Sequence, residues 1–114
     1  STKLVTKEAI SMAMSTASDT IRLVVFNACF SEIQAQNVVG HIESAIGMST
    51  SIGDDAACVF AAQLYSSIGF GRSLQTSFKQ AVAALMLEGI PEDDTPRLYV
   101  KDSIDPNDII LVRP

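Results

Sequence analysis

The run Ile21-Arg22-Leu23-Val24-Val25-Phe26 constrains this chain more than any other segment, because Arg22 is its one polar residue. A half-buried strand alternates apolar and polar side chains, whereas a strand covered on both faces in a parallel sheet is almost unbroken in its apolar character. The run therefore predicts a core strand of an α/β fold, ending at Asn27-Ala28-Cys29.

The flanking periodicities extend this reading. A short helix is predicted from about Ser31 to Val39, stopped by Gly40, and Ile42 to Met48 reads as a second strand with Gly47 near its end. Strand, helix and strand with short connections predict a right-handed parallel crossover. Upstream, Thr6 is placed to cap a helix reaching Ala17, with Ile10, Ala13, Met14 and Ala17 at helical spacing, before Ser18 and Asp19 close it. Downstream, Asp54 and Asp55 suit the positive end of a helix striped by Ala57, Phe60, Ala61, Leu64 and Ile68. Gly69 and Gly71 break the chain, and Ser73 caps a helix striped by Leu74, Phe78, Ala81, Val82 and Leu85 as far as Gly89. After the turn-rich stretch from Pro91 to Pro96, Arg97 to Lys101 and Asp108 to Val112 read as two short strands around Asp105-Pro106-Asn107.

This sheet is narrow. A strand such as Ile21 to Phe26 wants a neighbour on each side, and the first helix has no strand before it. The expectation is that residues 1–114 form the C-terminal portion of a single larger domain. Composition points the same way, with 47% hydrophobic residues, 18% charged residues and a mean hydropathy of +0.27. A domain of 114 residues leaves much of its surface in water, so this apolar surplus implies a face that is normally covered. The expected covering is the missing N-terminal half or self-association.

Several function classes are excluded by the same numbers. A chain this apolar is not a disordered tail. With 8 Lys+Arg against 13 Asp+Glu and a net charge of −5, it lacks the clustered cations that nucleic acid requires. No apolar run approaches the roughly 18 residues of a membrane span, and no signal peptide opens the chain, so a cytoplasmic protein with no membrane partner is expected. The two cysteines make neither a disulfide framework nor a zinc site. There is no phosphate loop, since Gly69-Phe70-Gly71 lies between helices, and no metal or cofactor is expected. A flavodoxin-like or receiver-type domain centred on Asp54 fits poorly, because the strand ends offer Cys and Ser where those folds place acidic residues or flavin loops.

Working groups of open parallel sheets gather beyond the carboxyl ends of the strands. Cys29 follows the first strand, Ser49 the second, and Asp54 lies on the next loop. Cys29 stands between a strand end and a helix start, where backbone N–H groups and the helix dipole favour a thiolate and stand ready for an oxyanion. Against this stands a small inert core cysteine. Cys58, in the middle of an apolar helix, is expected to pack. The single histidine, His41, precedes the second strand, roughly 17–20 Å from the Cys29 end for strands of ordinary length. Either Cys29 is not catalytic or its base lies outside this chain. Asp54 is either a carboxylate serving its own helix or a pocket wall ready to pair with a basic side chain.

Taken in order, Leu23-Val24-Val25-Phe26-Asn27-Ala28-Cys29-Phe30-Ser31, Ala45-Ile46-Gly47-Met48-Ser49, and Asp54-Asp55-Ala56-Ala57 leading to Phe60 and Tyr65 resemble the CHAT family of caspase-like domains. Gly71-Arg72-Ser73-Leu74, Phe78, Ala81 and Thr95-Pro96-Arg97-Leu98 also match that pattern, so the resemblance runs from about Lys3 to Val112. It implies an α/β, caspase-like three-layer sandwich with a mainly parallel sheet, here its C-terminal half. It also implies peptide-bond cleavage by a cysteine–histidine dyad. Cys29 matches the nucleophile. The family's histidine follows the preceding strand, usually beside a glycine, and His41 does not match it. Asp54 matches an acidic position that binds a basic side chain in separase-like relatives, with Ser49 beside it. The implied protein is a cysteine endopeptidase fragment, inactive alone, acting on a protein or peptide substrate; the alternative is a caspase-like interaction module without catalysis.

Overall fold

The computed structural model describes residues 6, 8–10, 12–13 and 21–114. Its elements are β1 (Leu23–Val25), α1 (Glu32–Val38), β2 (Ser44–Met48), α2 (Asp54–Gly69), α3 (Leu74–Leu87), β3 (Pro96–Val100) and a 3-10 turn at Pro106–Asp108. Ahead of them, Glu8–Ile10 and Met12–Ala13 are helical, and the Thr6 hydroxyl accepts the Ala9 N–H at 3.1 Å, as the predicted cap requires. The remainder of the predicted first helix, including Met14 and Ala17, lies outside the described residues.

The sheet has the order β1-β2-β3. β1 and β2 are parallel, with Leu23 opposite Ser44 and Val25 opposite Ile46, and the Phe26 N–H continues the ladder to the Ile46 carbonyl at 2.8 Å. β3 runs antiparallel to β2, pairing Ser44 with Val100 and Met48 with Pro96. The protein is α/β, but its sheet is mixed, where a mainly parallel one was expected. The return from α3 to β3 through the turn-rich segment sets this direction, and periodicity carries no information about strand polarity.

Side-chain alternation assigns the layers. Leu23 and Val25 of β1 and Ile46 and Met48 of β2 face α2 and α3, joining Phe60, Leu64, Ala81 and Leu85 in the main core. Ala45 faces the other way with Ala35 and Val38 of α1, and Ile10, Phe26 and Tyr99 pack against them. Between α2 and α3, Phe60 and Phe78 meet edge to face at 5.9 Å, a favoured aromatic geometry. Beside them the buried Ser67 hydroxyl accepts from Gln63 at 2.9 Å and donates to Gln80 at 2.6 Å, so this serine is satisfied inside an apolar contact. Ser73 caps α3 by accepting the Thr76 N–H at 3.1 Å, and Gly89, with φ of +69°, follows its end as the sequence predicts.

Two strand expectations are corrected. The strand buried along its whole length is β2, whereas all three residues of β1 are half-buried. An apolar run shows that a strand can be covered, not that it occupies the centre; β1 is an edge among the described residues. Asp108 to Val112 forms no strand. Ile109 is buried and its carbonyl accepts the Leu74 N–H at 2.8 Å, so this segment is tied to the start of α3 and not to the sheet. An orphan donor at a helix N-terminus has taken the carbonyl that a ladder would have used.

The Tyr99 hydroxyl donates to the Glu32 carboxylate, linking β3 to α1. Burial, reinforced by the adjacent Glu32 anion, raises the Tyr99 pKa above the usual value of about 10. The folded state therefore holds this proton more tightly than the unfolded chain does. Its contribution to stability is complete below about pH 10 and is lost as pH rises through the higher folded value. Urea unfolding midpoints should accordingly fall between pH 9 and pH 11 in the unmodified protein and fall less in Tyr99→Phe, which has no phenol to ionise. Equal slopes in the two proteins would remove Tyr99 as a source of alkaline instability.

Candidate functional site

The site is built where β1 and β2 end. After Phe26 the chain leaves the sheet and turns through Ala28, Cys29 and Phe30 before α1 begins. Phe30 has φ of +57°, a left-handed conformation that is unfavourable for a bulky residue and that surrounding contacts must impose. Those contacts are present. The Phe30 N–H donates to the Thr50 carbonyl at 3.2 Å. The buried Ser31 hydroxyl donates to the Ala28 carbonyl at 2.6 Å and accepts the Met48 N–H at 3.0 Å, bracing the turn against the end of β2. Ser31 stands at the N-cap position of α1 but makes no side-chain capping bond, because its hydroxyl is engaged in this brace.

Cys29 is exposed, yet its sulfur is not free of contacts. The Ile52 N–H donates to Cys29 Sγ at 3.3 Å, and the thiol in turn donates to the Ile52 carbonyl at 3.7 Å. Ile52 itself is anchored by its side chain in the main core. The Cys29 backbone N–H has no hydrogen-bond partner among the described residues. An exposed sulfur, a donor aimed at it and an uncommitted N–H on the same residue can together support nucleophilic attack and receive a developing oxyanion.

Ser49 and Asp54 flank in sequence the Thr50–Gly53 segment that meets this turn. Ser49 is half-buried; its N–H and its hydroxyl both donate to the Thr95 carbonyl, at 2.9 and 3.0 Å, leaving the hydroxyl's lone pairs for other use. Asp54, two residues after Ile52, opens α2 and is exposed, and its carboxylate has neither an ion pair nor a hydrogen bond among the described residues. His41 lies three residues ahead of β2, while Cys29 lies four residues beyond β1. Since the strands are parallel, these two are at opposite ends of the pair, as the sequence predicts. Among the described residues no three His, Cys, Asp or Glu side chains gather to hold a metal.

Cys58 is a correction: it is exposed, not packed. Phe60 and Leu64 define the buried side of α2, and two residues of helix place Cys58 about 200° around the axis from Phe60. The same stripe that predicts the helix also predicts an outward Cys58.

Sequence reading missed Ser31, Ile52 and Glu92 as parts of the site. The Glu92 carboxylate accepts the Gly53 N–H at 2.8 Å across 39 residues of chain. A strand-end serine followed by a helix is a local signal for Ser31. Nothing local signals Glu92 or the backbone of Ile52, whose roles arise only when separate loops meet.

Among the described residues, β1 at the edge of the sheet borders a mostly apolar groove lined by Ile21, Leu23, Val25, Tyr65, Ile68 and Leu111, with Arg22 as its one charged residue. Phe30 and Ile33, beside Cys29, are 64% and 63% exposed. Among the described residues no helix is long and apolar enough to cross a membrane. No family model matches the chain, and no curated protein sequence matches it.

Proposed function

We propose that this chain is the nucleophile-bearing, C-terminal part of a CHAT-type, caspase-like cysteine endopeptidase, inactive until a second segment supplies the base. The observation that carries the reading is the Cys29 turn, where an exposed sulfur receives the Ile52 N–H and the Cys29 N–H is uncommitted among the described residues. The one histidine of the sequence is at the wrong end of the strands, so the base must come from another segment. The edge of β1, without a neighbour on that side among the described residues, offers that segment a strand position next to the strand that leads to Cys29.

In this mechanism the incoming histidine takes the Cys29 thiol proton, and the sulfur attacks the carbonyl carbon of a protein or peptide substrate. The Cys29 N–H and its neighbours hold the oxyanion. The peptide C–N bond then breaks as the histidine returns its proton to the leaving amine, and water hydrolyses the thioester. Asp54, whose carboxylate has no partner among the described residues, selects a basic residue before the scissile bond, with Ser49 as a second substrate contact. Two free thiols accord with a reducing, cytoplasmic setting.

A second reading is a non-catalytic interaction module, favoured by the apolar groove along β1, which suits the addition of a strand from a partner or another copy. The coding sequence upstream of Ser1 separates the two readings. A strand followed by His-Gly supports the peptidase, and its absence supports the module. The biochemical test restores that segment and adds a peptidyl electrophile ending in Arg or Lys. Labelling of Cys29 is expected, and an unlabelled Cys29 overturns the peptidase reading.

A further inference from the structure

Besides the two Cys29–Ile52 hydrogen bonds, four contacts hold the loop after β2 against its surroundings. Ser49 is fixed to the Thr95 carbonyl, the Thr50 carbonyl receives the Phe30 N–H, Ile52 is anchored in the core, and Gly53 donates to Glu92. The first is made by the loop's own Ser49 N–H and hydroxyl, the second by backbone, and the third by buried apolar contact. Only the last depends on a polar side chain brought from a remote loop. It also acts at a sensitive place, because Gly53 immediately follows Ile52, whose N–H reaches the Cys29 sulfur at 3.3 Å. We infer that Glu92 is a positioning residue for Cys29: by accepting the Gly53 N–H, its carboxylate fixes the Ile52–Gly53 backbone so that the Ile52 N–H points at the sulfur.

Geometry supports a direct linkage. The Glu92–Gly53 distance of 2.8 Å is that of a charge-assisted hydrogen bond. Gly53 sits at the N-cap of α2 with φ of −71° and ψ of 157°, and the helix's own carbonyls cannot satisfy its N–H. A Cβ at Gly53 would lie 3.4 Å from the second carboxylate oxygen, so Glu92 rests directly on this peptide. Glu92 is in turn held by its own turn, its N–H donating to the Ile90 carbonyl at 2.9 Å and its carbonyl accepting the Thr95 N–H at 3.1 Å. The turn-rich segment before β3 thereby becomes part of the cysteine site. The Ile52 backbone fixes where the Cys29 sulfur is held, so releasing the Ile52–Gly53 peptide should leave the sulfur less well placed for attack and slow reactions of Cys29.

The inference rests on Cys29 being the reactive group, but its test needs neither base nor substrate. In the full chain carrying Cys58→Ser, the rate of Cys29 alkylation by iodoacetamide is compared between Glu92→Ala and Glu92→Gln. Both remove the charge, but only Gln keeps an oxygen for the Gly53 N–H. Alkylation about fivefold slower in Glu92→Ala than in Glu92→Gln is expected, the size of one partly solvated hydrogen bond felt at one remove. Gly53→Pro removes the same bond from the donor side at a φ that proline accepts, and should slow alkylation similarly. The two changes together should be no slower than either alone. Equal rates in Glu92→Ala and Glu92→Gln, or full additivity with Gly53→Pro, would overturn the role of Glu92. If Glu92→Ala does not fold, Gly53→Pro against the unchanged chain decides. Loss of peptidyl labelling with the Glu92 effect intact would overturn the peptidase reading alone.

Discussion

Gly47→Ala should lower the unfolding free energy by about 3 kcal/mol, whereas Gly69→Ala should leave it unchanged or raise it by up to about 1 kcal/mol. The chemistry of the two substitutions is identical and only the surroundings differ. A Cβ on Gly47 would stand 2.7 Å from the Ser31 carbonyl oxygen, 2.8 Å from the Ala35 Cβ and 3.1 Å from the Glu32 Cα. Two of those three atoms belong to backbone, so no rotamer change relieves the overlap. α1 would have to lift from β2, and Ser31 moves with it, so its bonds to Met48 and Ala28 are strained or lost. At Gly69, the last residue of α2, nothing lies within 4 Å, and alanine gains from its smaller loss of backbone entropy. Urea unfolding of both variants measures the difference. For a domain whose total stability is in the range of about 5–15 kcal/mol, the Gly47 change is large. A Gly47→Ala protein as stable as Gly69→Ala would show that the first turn of α1 does not rest on β2 as described. The Cys29 turn depends on that same contact, so its alkylation should become less selective in Gly47→Ala.

On the proposed peptidase function, Cys29→Ala should abolish labelling and cleavage in the chain joined to a histidine-bearing upstream segment, a loss of at least about three orders of magnitude, while Cys58→Ser should leave both intact. Both thiols are free and exposed, so accessibility alone predicts that a general alkylating reagent reaches each. A peptidyl electrophile adds a second requirement, because its carbonyl must sit beside an N–H able to hold the developing charge. Cys29 offers this at the end of β1. Cys58 lies within α2, where backbone N–H groups are taken by carbonyls four residues earlier. Mass spectrometry of the labelled peptide distinguishes the two sites. Labelling of Cys58 with Cys29 unmodified would remove the turn after β1 from any catalytic account. Replacing Asp54 by Asn should leave reaction with a small alkylating reagent unchanged and weaken only electrophiles ending in Arg or Lys.

Much of the architecture was legible because it is written in local rules. Thr6 and Ser73 were identified as caps, and their hydroxyls accept the N–H groups of Ala9 and Thr76. The stripes ending at Ile68 and Leu85 located α2 and α3, and the order of strand, helix and strand gave the parallel pair of β1 and β2. The separation of His41 from Cys29 follows from that pairing alone. The errors share a cause: each depended on what lay across a contact. Ile21 to Phe26 reads as the strand buried on both faces, but among the described residues β2 holds that place because β3 pairs with it. Asp108 to Val112 has a strand's composition, yet the Leu74 N–H captures its Ile109 carbonyl. Cys58 is the exception, since the helical stripe itself turns that residue outward.

The sequence by itself determined an α/β chain with one candidate nucleophile at a strand-to-helix junction, and it placed the lone histidine out of that residue's reach. These follow from periodicity, capping and strand direction, which operate over a few residues at a time. Only the tertiary structure decided that Ser31 braces the turn, that the Ile52 N–H meets the Cys29 sulfur, and that Glu92 holds the neighbouring peptide. Such bonds join segments 17 to 39 residues apart and depend on which loops the packed core brings together. Orphan backbone donors at strand ends and helix starts must be satisfied by whatever lies nearest in space, and sequence spacing does not say what that is.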